Sequence, residues 1–162
     1  MKHLVFLLEE LSARDLLERQ LVRKVRGWQR PGAAFVVLRD QDSADCHAVK
    51  DRLTELVDAS GRKPALVRVA CRELESWVVG DWHAVAQAFE RPHLAGQSAK
   101  AAYKDPDQLV RPVESLRRFI PDYQKRSGAR RVGRLLDPQR NHSKSFRVFC
   151  AGIQELAGRA EP

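Results

Sequence analysis

The sequence predicts an α/β fold, with a parallel sheet flanked by helices and a helical, basic C-terminal part. Three short apolar runs rich in β-branched residues occupy the first half of the chain, and helical patterns separate them. The order strand, helix, strand, helix, strand is typical of parallel strands joined by right-handed crossovers. After the third run the pattern becomes helical and the charge becomes strongly positive.

The predicted strands are residues 3–8 (HLVFLL), 33–38 (AAFVVL) and 65–70 (ALVRVA). The first two runs are almost continuously apolar, which is typical of strands that are covered on both faces of a parallel sheet. One helix is predicted between the first and second strands, and another between the second and third. Ser12 can cap a helix that ends near Gly27, and a second helix is expected to begin near Ser43 or Ala44 and to stop at Gly61.

Helical patterns follow the third strand. One helix is expected to begin near Glu75 and to run through Phe89, and residues 91–107 are expected to form a loop with short helical segments at most. The remaining helices are predicted at residues 108–119, 127–136 and 145–157. Pro112 fits the first of these three only in its opening turn, where a proline is tolerated.

The length and composition favour one soluble domain. We expect a single domain over residues 1–162, in which residues 1–90 form the α/β core and residues 91–162 form a helical extension packed on it. The apolar runs are much shorter than the ~20 residues of a membrane-spanning helix, and the first residues leave no room for a secretory signal. Three widely separated cysteines favour neither a disulfide framework nor a zinc site, so we expect a cytoplasmic protein.

The positive charge is concentrated in the last third of the chain. Residues 1–99 carry 15 Lys and Arg against 14 Asp and Glu, a net charge of +1, whereas residues 100–162 carry 14 against 7, a net charge of +7. A nucleic acid is a natural partner for such a segment, because neutralising phosphates releases condensed counterions. A solvated face of arginine-rich helices is the alternative explanation.

Acidic residues follow all three predicted strands. Glu9 and Glu10 follow the first, Asp40 and Asp42 the second, and the pair Glu73 and Glu75 the third. Ligands of an open parallel sheet bind at the carboxyl ends of its strands, so we expect these acids to converge. A hard divalent ion such as Mg²⁺ would offset their mutual repulsion.

Each acid also has a purely structural interpretation. Asp42 or Ser43 can cap the second helix. Glu73 and Glu75 can be first-turn acids of the third helix, where they would interact favourably with its dipole. The recurrence of acids at three strand ends, and not any single residue, favours the metal site.

Four blocks carry a resemblance to a known group of proteins: LRDQDSADC at 38–46, RVACRELESWVVGD at 68–81, YQKRSGARRV at 123–132 and HSKSFRVF at 142–149. With the order of a strand ending in Glu and a strand ending in DxD, they resemble a bacterial TOPRIM-like family of domains of unknown function (DUF4276/RloB-like), related to OLD-type TOPRIM nucleases. The resemblance covers residues 4–157. Members of this group are often encoded beside an AAA/ABC-type ATPase in phage-defence loci.

The resemblance implies a role for each acid. Glu9 corresponds to the strand-one glutamate that acts in metal-linked acid–base chemistry, and Asp40 and Asp42 to the metal-binding pair. Glu73 and Glu75 correspond to added ligands, so that one or two Mg²⁺ or Mn²⁺ ions are expected. The chain departs from the family pattern after strand one, where relatives commonly carry Glu-Gly and this chain carries Glu-Glu.

Basic residues of the C-terminal part are candidates for binding a phosphate backbone: Lys104, Lys125, Arg126, Arg130, Arg131 and Lys144. Lys125 and Lys144 are also catalytic candidates, because a lysine can stabilise the charge of a transition state. Ser143 and Ser145 beside Lys144 either help to bind an anion at a helix N-terminus or only cap that helix. Trp77 and Trp82 are interpreted as core residues and not as platforms for stacked bases.

The expected function is metal-dependent hydrolysis of phosphodiester bonds in DNA or RNA. The resemblance implies that the protein is the effector subunit of an ATPase-associated antiviral system. The alternative is a non-catalytic subunit that binds nucleic acid or regulates the ATPase, and an oligomer is compatible with either. Nucleotidyl transfer, as in primases, would need a nucleotide site, and the sequence has no glycine-rich phosphate loop of the Walker type.

Overall fold

The computed structural model describes residues 4–7, 14–28, 33–61 and 65–158. The first half of the chain contains β1 (Leu4–Leu7), α1 (Arg14–Gly27), β2 (Ala34–Asp40), α2 (Cys46–Ala59) and β3 (Ala65–Ala70). The second half contains α3 (Glu75–Val79), α4 (Trp82–Ala88), α5 (Pro112–Arg117), α6 (Lys125–Gly133) and α7 (Lys144–Gly158). Three 3₁₀ segments, Pro92–Ala99, Ala101–Tyr103 and Pro106–Gln108, lie between α4 and α5.

The three strands form one sheet in the order β1-β2-β3. β1 and β2 are parallel, with Leu4 opposite Ala34 and Leu7 opposite Val37. The prediction of an α/β fold with parallel strands flanked by helices is confirmed at this level.

The described residues divide into two compact units. Unit 1 contains the residues up to Val69 and those from Phe149 onwards, and unit 2 is Ala70–Val148. The expected single domain stays a prediction, because compactness alone does not decide whether either unit folds independently.

Unit 1 is layered around β2, whose residues Ala34 to Val37 are all buried. Alternate side chains of a strand point to opposite faces of the sheet. Phe35 and Val37 therefore pack in a cluster that includes Leu53 of α2, while Val36 packs in a second cluster that includes Leu156 of α7. The continuous apolar run of β2 thus reflects burial on both faces, as expected.

Unit 2 has a core built around Trp82, which is completely buried. Its ring centroid lies 4.9 Å from that of Tyr103 and 5.3 Å from that of Phe119. Trp77 is also buried, and its indole Nε1 donates a hydrogen bond of 2.7 Å to Ser145 Oγ. The interpretation of both tryptophans as core residues is confirmed.

The expectation of one helix from Glu75 through Phe89 is wrong, because the chain breaks at Gly80 and Asp81 into α3 and α4. The Asp81 carboxylate caps α4 by accepting a hydrogen bond of 3.0 Å from the Ala84 backbone N–H. Gly80 lies so close to another segment that a Cβ at this position would come within 2.1 Å of Asn141 Oδ1. The break is therefore fixed by a cap and by a tertiary contact.

Other boundaries also differ from those expected. α2 begins at Cys46 and is capped by Asp45, whose carboxylate accepts a 2.8 Å hydrogen bond from the Ala48 N–H. Asp42 and Ser43 therefore do not cap it. α5 is shorter than expected and begins at Pro112, the position where a proline fits a helix best. α6 begins two residues earlier than predicted, and the proposed cap Ser12 lies outside the described residues.

Candidate functional site

Glu73 and Glu75 lie just beyond β3, at the start of α3 in unit 2. Glu75 is the first residue of α3, and Glu73 precedes the helix. The interpretation as first-turn acids therefore holds for Glu75 alone. The Glu75 side chain is 5% exposed and that of Glu73 is 25% exposed, so one carboxylate is enclosed and the other reaches solvent.

Lys125, the first residue of α6, pairs with both carboxylates. Its Nζ donates a hydrogen bond of 2.5 Å to Glu73 Oε2 and lies 3.6 Å from Glu75 Oε2. Because Glu75 is buried, its charge needs a partner close by, and the ammonium provides it. Two neighbouring acids and a lysine 52 residues after the first of them thus form one charged cluster. We call it the acid–lysine cluster (Glu73, Glu75 and Lys125).

The protonation of Glu75 is sensitive to its surroundings. Burial raises the pKa of its carboxyl above the ordinary value of 4.5, the positive charge of Lys125 acts against this shift, and the charge of Glu73 adds to it. The Glu75 carboxyl is therefore more easily protonated than an exposed glutamate, although a lysine lies beside it.

Tyr123, in the segment before α6, lies near enough to Glu75 for the charge of that residue to act on it. It is 1% exposed, and its hydroxyl has no hydrogen-bond partner among the residues that the structure describes. Burial, and then the charge of Glu75, raise the pKa of its phenol, which therefore stays neutral. A Cβ at Gly128 would come within 2.2 Å of the Tyr123 ring, so only a glycine lets α6 approach the ring this closely.

The other predicted acids lie in unit 1 or outside the described residues. Asp40 is the last residue of β2, and Asp42 is exposed in the turn that follows, with φ = 55°. This left-handed conformation is uncommon for a residue other than glycine, although Asp tolerates it better than most. Glu9 and Glu10 fall outside the described residues. The expected convergence of all these acids stays a prediction.

A divalent metal fits the donor chemistry of the acid–lysine cluster only in part. Within the described ranges, no group of three or more His, Cys, Asp and Glu side chains is placed to hold a metal ion. Two carboxylates are nevertheless a common protein contribution to a Mg²⁺ site, because water and substrate phosphate complete the shell. Glu73 and Glu75 provide two such carboxylates, and in the structure the Lys125 ammonium neutralises them.

The remaining basic candidates differ in what they contact. The side chains of Lys104, Arg126, Arg130, Arg131 and Lys144 are all exposed. The Arg131 guanidinium lies over the Phe89 ring, 4.8 Å from its centroid, which is a cation–π contact that holds it against the fold. Lys144 is the first residue of α7.

The N-terminus of α7 already has an anionic partner within the protein. Ser143 Oγ accepts a hydrogen bond of 3.0 Å from the Phe146 N–H, which is the geometry of a helix cap. The Asp107 carboxylate accepts hydrogen bonds of 2.6 Å from Ser143 Oγ and 2.8 Å from the Ser145 N–H. The serines beside Lys144 therefore act as structural groups, and a carboxylate of the same chain takes the place of an external anion.

A second buried charge fixes the segment before α7. Arg140 binds the Asp81 carboxylate with two hydrogen bonds, 2.8 Å from Nε and 2.9 Å from Nη2, and the Asp137 N–H donates a third at 3.1 Å. Burial alone would raise the pKa of Asp81, but the hydrogen bonds from Arg140 and from backbone N–H groups outweigh it and lower the pKa. Asn141 adds a hydrogen bond of 2.8 Å from its Nδ2 to the Trp77 carbonyl.

Sequence reasoning missed Tyr123, Asp81 and Asp107. An Asp directly after a glycine inside a supposed helix was a usable signal for Asp81, because Asp is a preferred helix cap. Nothing local in the sequence marks Tyr123 or Asp107, since their partners lie in distant segments.

Comparison with protein-family models matches residues 5–154 to the family described as Domain of unknown function (DUF4276). The chain belongs to the DUF4276 family. This confirms the DUF4276 membership that the four sequence blocks indicated, whereas the relation to TOPRIM and OLD-type nucleases stays a prediction. No curated protein and no solved structure matches this DUF4276 chain significantly. None of its described helices combines the length and apolar character needed to cross a bilayer.

Proposed function

We propose that this DUF4276 protein is a metal-dependent nuclease that hydrolyses phosphodiester bonds in DNA or RNA. The proposal includes a TOPRIM/Rossmann-like core related to OLD-type nucleases, and a cytoplasmic role as the effector subunit of an ATPase-associated phage-defence system. Its supports are the acids after each strand, the basic C-terminal part and the resemblance of the four sequence blocks.

One observation carries the proposal: Glu73 and Glu75 hold a single cation, the Lys125 ammonium, between them. Mutual repulsion makes a carboxylate pair unfavourable unless a cation is present. Two carboxylates that bind an ammonium group can also offer their oxygens to a metal cation. Mg²⁺ and Mn²⁺ favour such oxygen ligands.

The residues of the chain have separate roles in this proposal. Glu73 and Glu75 would hold the metal in unit 2, and Asp40, Asp42 and Glu9 are separate ligand candidates from the sequence. Mg²⁺ or Mn²⁺, when bound, would supply Lewis acidity toward the phosphate and toward water. Lys125 neutralises the acid pair in the structure and would neutralise a phosphate oxygen when a metal is bound, and its side chain, 45% exposed, has the access to solvent that this exchange requires.

A cleavage assay tests the proposal. Purified protein, with and without the neighbouring ATPase, is incubated with labelled DNA and RNA in Mn²⁺, Mg²⁺ or EDTA. We expect cleavage that requires the metal, and expect Glu73→Gln/Glu75→Gln and Asp40→Ala each to abolish it. Glu114→Gln is the matched control, because Glu114 is an exposed acid of the same unit that pairs with Arg111 at 3.3 Å. Cleavage that persists in EDTA, or in either acid variant, would contradict the proposal.

The same cluster favours a second candidate, a non-catalytic subunit that binds nucleic acid or regulates the ATPase. Lys125 already compensates both carboxylates, so the acid pair is stable without a metal. In that case nucleic acid binds equally well in EDTA and to the Asp40→Ala variant, and no condition produces cleavage. The cleavage assay therefore separates the two candidates.

A further inference from the structure

Helix α6 and its C-cap residue Arg134 carry five cations and no acid: Lys125, Arg126, Arg130, Arg131 and Arg134. We propose that Arg126, Arg130 and Arg134 form a row that binds the phosphate backbone of a nucleic acid, and that Lys125 and Arg131 are not part of it. The inference rests on the nucleic-acid substrate of the proposed function and assigns it a docking surface.

The position of each cation around α6 separates the two groups. Gly128 and Val132 mark the buried face of the helix. At about 100° per residue, Arg130 lies roughly 180° from the middle of that face, and Arg126 and Arg134 lie roughly 140° from it on either side. Lys125 and Arg131 lie within about 80° of it. The row therefore faces away from the core of unit 2.

The contacts of the five side chains agree with this division. Lys125 bonds to Glu73, and Arg131 stacks over Phe89. The three residues of the row are exposed. Their guanidinium groups form no ion pair with any of the residues described by the structure. Three charges with no ion-pair partner among the described residues thus lie on one outer face of α6.

Helix stability does not account for this row. Arginines in the last turn interact favourably with the helix dipole, but Arg126 is the second residue of α6, where a cation is unfavourable. Arg126 and Arg130 are four residues apart, as are Arg130 and Arg134, and like charges at this spacing repel each other. A bound polyanion removes both penalties.

A phosphate backbone has the chemistry and the spacing that the row requires. Eight residues separate Arg126 from Arg134, which is about 12 Å of helix. One strand of a duplex rises about 3.4 Å per nucleotide, so the row spans three to four phosphates. Guanidinium groups bind phosphate oxygens in a bidentate manner, which fits a row made only of arginines.

The test compares two triple variants of the full chain in EDTA, where no metal-dependent cleavage occurs. The first is Arg126→Ala/Arg130→Ala/Arg134→Ala. The matched control is Arg23→Ala/Arg52→Ala/Arg111→Ala, which removes the same charge from exposed arginines elsewhere in the chain. Binding to labelled single-stranded DNA, RNA and duplex DNA is measured over a series of salt concentrations.

The slope of log K against log salt is negative, and we expect the row variant to reduce its magnitude by about 2.7 for duplex DNA or about 2.1 for a single strand, the values for three lost phosphate contacts. The control should change the slope by much less, and Arg126→Lys/Arg130→Lys/Arg134→Lys should keep most of it. Equal slopes for the row variant and the control would overturn the inference, as would a row variant that loses binding to anionic vesicles but not to nucleic acid. Binding without cleavage contradicts only the nuclease, whereas cleavage with an unchanged slope contradicts only the row.

Discussion

Lys125 Nζ lies 2.5 Å from Glu73 Oε2, close enough that the two side chains share one charge-assisted hydrogen bond. The same ammonium is 3.6 Å from the buried Glu75 carboxylate. Lys125 is therefore the internal counter-ion of the two acids that are proposed to hold the metal, and a divalent ion bound there would displace it.

Lys125→Met tests this competition. Removing the ammonium leaves the acid pair uncompensated, so we expect Mn²⁺ to bind about tenfold more tightly, which corresponds to about 1.4 kcal/mol. Isothermal titration calorimetry measures this directly. Lys104→Met, at an exposed lysine of the same unit, is the control and should leave the affinity unchanged. Unchanged or weaker binding by Lys125→Met would argue against a metal at Glu73 and Glu75.

The raised pKa of Glu75 predicts a pH-dependent stability. A carboxyl whose pKa is higher in the folded than in the unfolded protein binds protons preferentially in the folded state. Its stabilising contribution is therefore complete below the ordinary value of 4.5 and is lost as the pH rises through the folded pKa. The amide in Glu75→Gln does not titrate, so the stability of this variant relative to wild type should increase over that range.

Denaturant unfolding at a series of pH values measures the difference between Glu75→Gln and wild type. Glu114→Gln, at an exposed glutamate, is the control for general effects of charge. A difference that stays constant from acid to neutral pH would show that burial does not shift the titration of Glu75.

Two glycines of α6 predict opposite effects of the same substitution. A Cβ at Gly128 would lie 2.2 Å from the Tyr123 ring, whereas one at Gly133 would meet nothing within 4 Å. We expect Gly128→Ala to lower the free energy of unfolding by about 1–3 kcal/mol through overpacking. Gly133→Ala should raise it by about 0.5–1 kcal/mol, because alanine favours a helix more than glycine does.

Thermal unfolding of the two variants checks this pair. If Gly128→Ala were as stable as wild type, Tyr123 would not pack against α6 as the structure describes, and its place beside Glu75 would also be in doubt.

The sequence predicted the strands and their alternation with helices well, because these depend on local signals. A continuous apolar run such as residues 34–37 allows few alternatives to a strand buried on both faces. Helix boundaries were less accurate, because several side chains can cap a helix and only one does. Asp45 caps α2, although Asp42 and Ser43 were equally good candidates by residue type.

The candidate site was predicted only in part for a different reason. The positions of Glu73 and Glu75 after a strand were evident from the sequence, but the partner of Glu73 is 52 residues away. A sequence separation of this size carries no signal about a contact. The division of the α6 arginines into inner and outer residues likewise depends on which face of the helix is buried.

The Asp81–Arg140 pair predicts a large effect on stability. Asp81→Ala removes a helix cap and leaves Arg140 without its carboxylate, and we expect it to lower the free energy of unfolding by about 3 kcal/mol. Asp105→Ala is the control, because Asp105 is exposed and its side chain makes no cap hydrogen bond. A loss for Asp81→Ala no larger than that of the control, measured by urea unfolding, would show that the pair contributes little.

Asp42 allows stability and function to be separated. Its φ of 55° suits glycine better than aspartate, so Asp42→Gly should unfold at the same or a higher temperature. Under the proposed function, the same variant loses a metal ligand and therefore its metal-dependent cleavage.

Glu90→Gly is the matched control for Asp42→Gly. Glu90 has the same φ of 55° and follows α4, where the Arg91 N–H donates a 2.8 Å hydrogen bond to the Ala86 carbonyl in the manner of a Schellman motif. Glycine suits that position as well, so Glu90→Gly should gain stability and keep full activity. If Asp42→Gly also kept full activity, the carboxylate of Asp42 would have no part in catalysis, and its backbone conformation would reflect the turn after β2 alone.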